Sequence, residues 1–121
     1  MTETINSKRF DLEDKTALFA GNVRKFVRKL KRTPANIEDI KQVIRSSGSV
    51  GANYIEANEA LSEKDFKMRI KICRKEAKET RYWLQLIDTS DNTELNMERD
   101  RLIQEATELM NIFGAILKKT K

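Results

Sequence analysis

Four long runs of this chain repeat an apolar or small residue every three or four positions, a spacing that fits α-helix and not strand. The first, between Leu12 and Arg32, is Leu12, Thr16, Phe19, Val23, Phe26, Val27 and Leu30. The second is Ile37, Ile40, Ile44, Ser47, Gly51, Ile55 and Asn58, and the third runs from Phe66 through Ile70, Cys73, Ala77, Thr80 and Leu84 to Ile87. The fourth is Leu95, Leu102, Ala106, Leu109, Phe113 and Leu117. One Pro and four Gly in 121 residues are too few for the many turns of a sandwich or barrel. Thr33-Pro34 reads as an N-cap followed by Pro at the first helical position. Ser62-Glu63-Lys64-Asp65 has the form of a capping box, and Asp88 to Thr93 reads as a turn. Short connections make consecutive helices antiparallel neighbours. The expected fold is all-α, an antiparallel up-down-up-down four-helix bundle over residues 11–119, preceded by a flexible tail at 1–10.

The stretch Arg45 to Ala57, RSSGSVGANYIEA, is rich in Ser, Gly and Asn, yet the helical phase runs through it without a break. A phosphate-binding loop there would need a preceding strand and a Lys-Ser or Lys-Thr ending, and neither is present. Ser47 and Gly51 fall one turn apart, where small side chains let a neighbouring helix come close. That packing offsets the roughly 1 kcal/mol that an interior Gly costs a helix. Arg45 and Glu56 lie about three turns apart and cannot pair with each other, so each needs a partner on another helix, with Glu76 or Glu79 suited to Arg45. Together with Asn53 and Glu79, these residues read as a structural motif.

Helix three carries more apolar surface than one core requires. Met68, Ile72, Tyr82 and Leu86 form a separate arc, with Trp83 bridging it to the core stripe. Such a second face points to burial against another subunit, with Tyr82 and Trp83 as anchors. Beside the arc runs a basic stripe of Lys64, Lys67, Lys71, Arg74, Lys78 and Arg81, and helix one adds Arg24, Lys25, Arg28, Lys29 and Arg32. Residues 64–81 hold eight basic and three acidic residues, net +5, whereas residues 82–111 hold two basic and seven acidic, net −5. Charge is therefore segregated, although the whole chain carries only +5. Cations ending helix one complement its dipole, but Lys64, Lys67 and Lys71 sit in the N-terminal half of helix three, where the dipole disfavours them. Two readings fit that stripe beyond a solvated face: a footprint for nucleic-acid phosphates, or a dock for an acidic protein partner.

The chain has no His and a single Cys, so the commonest general base and the usual zinc ligand sets are missing. No catalytic residues, metal site, cofactor or small-molecule substrate is expected, and a carboxylate pair among Glu56, Glu76 and Glu79 is the weakest reading. Cys73 is expected to be a small buried apolar residue in a reducing compartment. No run approaches the roughly 20 apolar residues of a membrane span, and MTETINSKRFDLEDK lacks a signal-peptide core. A cytoplasmic protein is expected.

Two stretches carry a family resemblance. RSSGSVGANYIEA, followed by SEKDFKMRIKICRKEAKETRYWLQLI, closely resembles the bacterial four-helix-bundle proteins, some of which are encoded in intervening sequences of 23S ribosomal RNA genes. The family pattern falls on Arg45, Ser49-Val50, Asn53 and Glu56-Ala57, and again on Lys64-Asp65-Phe66 and Glu76 to Leu84. Ile70 to Arg74 departs from it. The resemblance implies a homopentameric ring, and it extends in architecture to the nucleic-acid-binding accessory protein of diversity-generating retroelements. It supplies no catalytic residues.

Overall fold

The computed structural model describes the backbone of residues 2–120 and the side chains of residues 11–120; the tail expected over 1–10 falls outside the fully described residues. The order is α1 (Thr2–Val27), α2 (Pro34–Asn58), α3 (Glu63–Leu86) and α4 (Thr93–Lys119). Neighbours in sequence pack against each other and α4 closes back on α1, whereas the backbones of α1 and α3, like those of α2 and α4, do not approach each other closely; across the core the Tyr54 ring of α2 meets the Phe113 ring of α4 at 6.0 Å between centroids. The chain is therefore a square four-helix bundle with α1 and α3 on one diagonal.

The helix starts follow their capping chemistry. Thr33 Oγ1 accepts the Asn36 N–H at 3.2 Å and Ser62 Oγ accepts that of Asp65 at 3.0 Å. Asn92 Oδ1 accepts the N–H of Leu95 at 2.9 Å. Each satisfies a donor that the first helical turn leaves open. Between α3 and α4, Ser90 and Asp91 adopt left-handed φ of 57° and 58°, and the Asp88 carboxylate accepts the Ser90 N–H at 2.8 Å.

In α3 the expected stripe is the observed one: Ile70, Cys73, Ala77, Thr80, Leu84 and Ile87 are buried and Phe66 packs partly against the core. In α4, Leu102, Ala106, Leu109 and Phe113 are buried. Two expectations need correction. The buried face of α2 is Asn36, Val43, Ser46, Ser47, Val50, Tyr54 and Ala57, one position behind the expected stripe, while Ile37 and Ile55 are exposed. Helix α2 turns this way because its seam with α3 uses small and polar groups: Ser46 and Thr80, both buried, share a 2.8 Å hydrogen bond between their hydroxyls. Helix α1 also ends at Val27, short of Arg32. Its terminal carbonyls are met by the turn that follows: the N–H groups of Arg28, Lys29 and Leu30 donate to Arg24, Phe26 and Val27, and the Arg32 guanidinium adds bonds to Val27 O at 3.0 Å and Leu30 O at 3.2 Å as the chain turns ahead of Pro34.

Gly51 behaves as the small-residue run predicts. A Cβ added there would lie 2.9 Å from Thr16 Oγ1 and 3.3 Å from Thr16 Cβ, so α1 crosses α2 at a distance that only glycine permits without a shift. At one end of the bundle the buried Asn36 amide ties two turns together. Its Nδ2 donates to Lys31 O at 3.0 Å and Asp88 O at 2.9 Å, and its Oδ1 accepts the Asp88 N–H at 3.0 Å.

Candidate nucleic-acid interface and subunit face

The α2/α3 seam fixes how α3 presents its outer surface. Arg45 Nη2 lies 3.4 Å from Glu76 Oε1 and 3.3 Å from Glu79 Oε1, bridging both carboxylates from α2. Further along, Arg69 Nη1 donates to Asn53 Oδ1 at 3.1 Å, and Asn53 Nδ2 donates back to Ser49 O at 2.9 Å. The Cys73 thiol donates to Val50 O at 3.4 Å inside this seam. Burial pushes its pKa up to about 12, only partly countered by a hydrogen bond with its own backbone and by the Arg69 charge. Of the motif residues, Arg45 meets Glu79, Asn53 is held separately by Arg69 and Ser49, Ser47 is buried and Gly51 faces Thr16 of α1. Glu56 differs from the expectation: it is exposed and makes no ion pair among the described residues, so solvent takes the place of the expected partner.

With α3 so held, its second apolar arc lies open in the single chain: Met68, Tyr82 and Leu86 are 47%, 54% and 48% exposed. Ile72 is half-buried, and Trp83 leans onto the core while its ring meets Tyr82 edge-on at 5.1 Å and 68°. The Trp83 indole N–H is buried and meets no acceptor among the described residues.

The basic residues split between two diagonal corners. On α3, Lys64, Lys71, Arg74 and Lys78 are exposed and make no ion pair among the described residues, whereas Lys67 lies 3.6 Å from Glu63 and Arg81 donates to Thr107 Oγ1 at 3.2 Å. At the end of α1 and in the turn that follows it, Lys25 and Arg28 are likewise exposed and make no ion pair among the described residues, Lys29 pairs with Glu98 at 3.0 Å, and Arg24 and Arg32 donate to backbone carbonyls. Since the backbones of α1 and α3 do not approach each other closely, the two clusters do not merge into one patch on a single chain. Sequence reasoning missed Lys118, which lines a cleft between α3 and α4 with Arg74 and so widens the α3 patch. Its signal was position alone, in the last turn of α4 where a cation favours the dipole.

A second feature was also missed. Helices α1 and α4 are the most loosely joined neighbours, and two adjoining clefts of about 420 and 280 Å³ run along their seam, sharing Asn22 and Glu105. Glu105 has its pKa raised, first by burial and then by the nearby Glu108 carboxylate. Among the described residues no cluster of metal-ligating side chains occurs, and no helix is long and apolar enough to cross a membrane.

The family model for the 23S rRNA-intervening sequence protein matches residues 8–115. The chain belongs to the 23S rRNA-intervening sequence protein family. It is also similar to a crystal structure, at 1.70 Å resolution, of a protein of unknown function from the S23 ribosomal protein family of Bacteroides thetaiotaomicron VPI-5482. The two are 31% identical with a TM-score of 0.73, covering 88% of this chain and 97% of the other. No curated protein matches.

Proposed function

We propose that this member of the 23S rRNA-intervening sequence protein family is a non-enzymatic, oligomeric, cytoplasmic protein that binds structured RNA or DNA through the basic surfaces of α1 and α3. One observation carries the reading: Lys64, Lys71, Arg74 and Lys78 stand exposed along one line of α3 without counter-ions among the described residues. Unpaired cations along one face are costly to hold together unless a polyanion neutralises them, and phosphate contacts of this kind favour shape over sequence. The open arc of Met68, Tyr82 and Leu86 supports self-association, and the family resemblance makes five the expected number of subunits. Glu79, committed to Arg45, supports a structural role for the carboxylates here.

Fluorescence anisotropy with an RNA hairpin and a DNA duplex tests the reading. Binding should weaken steeply with salt, and Lys64→Glu, Lys71→Glu and Lys78→Glu together should abolish it or lower the slope of log K against log salt by about 3. Absence of binding at low salt, or binding indifferent to the triple substitution, refutes it. Capture of an acidic protein that survives nuclease would favour the docking alternative.

A further inference from the structure

We propose that the cleft between α3 and α4 holds one unpaired nucleotide of a bound RNA, with its base on the cleft floor and its phosphates on the cations of the walls. The proposal rests on the nucleic-acid reading above and names the part of the ligand that this surface selects. The cleft measures about 450 Å³, within the roughly 300 to 1,000 Å³ usual for sites that enclose a small ligand. Arg74 stands on its α3 wall and Lys118 on its α4 wall, both exposed and without an ion pair among the described residues. No carboxylate lines it, whereas Glu or Asp side chains line the clefts along α1 and α4 and the one at the start of α3. Those mixed walls neutralise themselves, but this one keeps two cations for an anion from outside the chain. Two full positive charges also outweigh the roughly half negative charge at the C-terminal end of α4 nearby. Along α3, Lys71 lies about 4.5 Å before Arg74 and Lys78 about 6 Å beyond it, so a strand crossing the cleft meets a cation on either side.

Cations alone would hold any polyanion, and the floor adds the selection. Met110 and Leu117 pack partly against the core and offer apolar surface, with Gly114 between them in the chain. A Cβ at Gly114 would meet nothing within 4 Å, so no neighbouring helix requires glycine there, in contrast to Gly51, and the missing side chain leaves the recess open. Asn111 is exposed at the same cleft and its side chain makes no hydrogen bond among the described residues, which leaves an amide donor and acceptor for the polar edge of a base. An apolar floor, one amide and flanking cations match the faces, edge and phosphates of a single nucleotide. A paired base hides its edge in the duplex and its faces in the stack. Loops and bulges of RNA present nucleotides already splayed out, whereas a continuous duplex would first have to unstack and unpair one.

Fluorescence anisotropy with two RNA duplexes of matched sequence, one fully paired and one carrying a single-nucleotide bulge, tests this. At one salt concentration the unaltered protein should bind the bulged RNA about tenfold more tightly, the scale of one well-placed base contact. Gly114→Met fills the recess without changing charge or meeting a neighbouring helix. It should bring the bulged RNA to the affinity of the paired one while leaving the paired affinity unchanged. Asn111→Ala takes its place should Gly114→Met lose helical circular dichroism, and should reduce the preference likewise. Equal affinities of the unaltered protein for the two RNAs, or a preference that survives Gly114→Met or Asn111→Ala in its place, overturns the cleft as a nucleotide site while leaving the basic surface as a nucleic-acid footprint. Absence of binding to either RNA at low salt overturns both.

Discussion

Gly51→Ala isolates the close approach of α1 and α2. Two effects oppose each other there. Replacing an interior helical Gly by Ala favours the helix by about 1 kcal/mol. Against this, the new methyl would sit 2.9 Å from Thr16 Oγ1 and 3.3 Å from Thr16 Cβ. Thr16 has little room to yield, since it is buried and its hydroxyl donates into its own helix, toward Glu13 O at 2.9 Å and Leu12 O at 3.0 Å. Overpacking of this kind costs roughly 1 to 3 kcal/mol, so the net loss should be about 0 to 2 kcal/mol. In a Thr16→Ala background the 2.9 Å clash with Oγ1 is gone and only the 3.3 Å approach to Cβ remains, so the same substitution should stabilise by up to about 1 kcal/mol, a coupling of up to roughly 3 kcal/mol between the sites. Urea unfolding followed by far-ultraviolet circular dichroism, at one fixed protein concentration and with unchanged slope, measures all four corners of the cycle. A gain of about 1 kcal/mol from Gly51→Ala with Thr16 intact would show that proximity to α1 is not why glycine occupies this position.

Asn36→Ala removes three hydrogen bonds to the turns at residues 31 and 88, and should cost about 2 to 4 kcal/mol in urea unfolding, whereas Ile37→Ala, on the exposed side, should cost under about 0.5. Equal losses at the two positions would contradict the corrected orientation of α2. Alkylation of native Cys73 should be slow and should rise about tenfold per pH unit throughout pH 7 to 9 without levelling off, because burial holds the thiol pKa up at about 12 and the reactive thiolate fraction grows tenfold per unit far below the pKa. A rate that levels off as pH approaches 9 would show a solvated thiol of ordinary pKa, about 8.5.

The readable parts of the fold were those where side-chain type and burial coincide. Helix α3 alternates Ile, Cys, Ala, Thr and Leu inward with Lys and Arg outward, so periodicity alone located its core line, and Arg45 found both Glu76 and Glu79 at the expected spacing. Helix α2 misleads because its isoleucines are partly decoys. Ile37 and Ile55 face solvent, while Ser46 is buried by its hydrogen bond to Thr80, a pairing between chain segments 34 residues apart that no local pattern encodes. The end of α1 was obscured for a similar reason: Arg28 to Arg32 continue a helical pattern, but the turn there and the Arg32 guanidinium cap the carbonyls. At the candidate site, the unpaired lysines of α3 were visible as a stripe. The α1/α4 groove was not, since Leu18 and Met97 each look like a lone stray apolar residue until the bundle sets their helices side by side.

The Asn36 bridge makes the two ends of the bundle mechanically unlike. It latches the turn after α1 to the turn after α3 through three hydrogen bonds, while at the far end, where α2 hands over to α3, Asn58 ties α2 to α1 through a single one, its Nδ2 donating to Glu13 Oε2 at 2.8 Å. Strain applied at that far end would part the helices like a zipper, with separation advancing toward the latch and halting there last. Backbone amides near Asn36 are accordingly the ones that should report on complete rather than partial opening of the molecule.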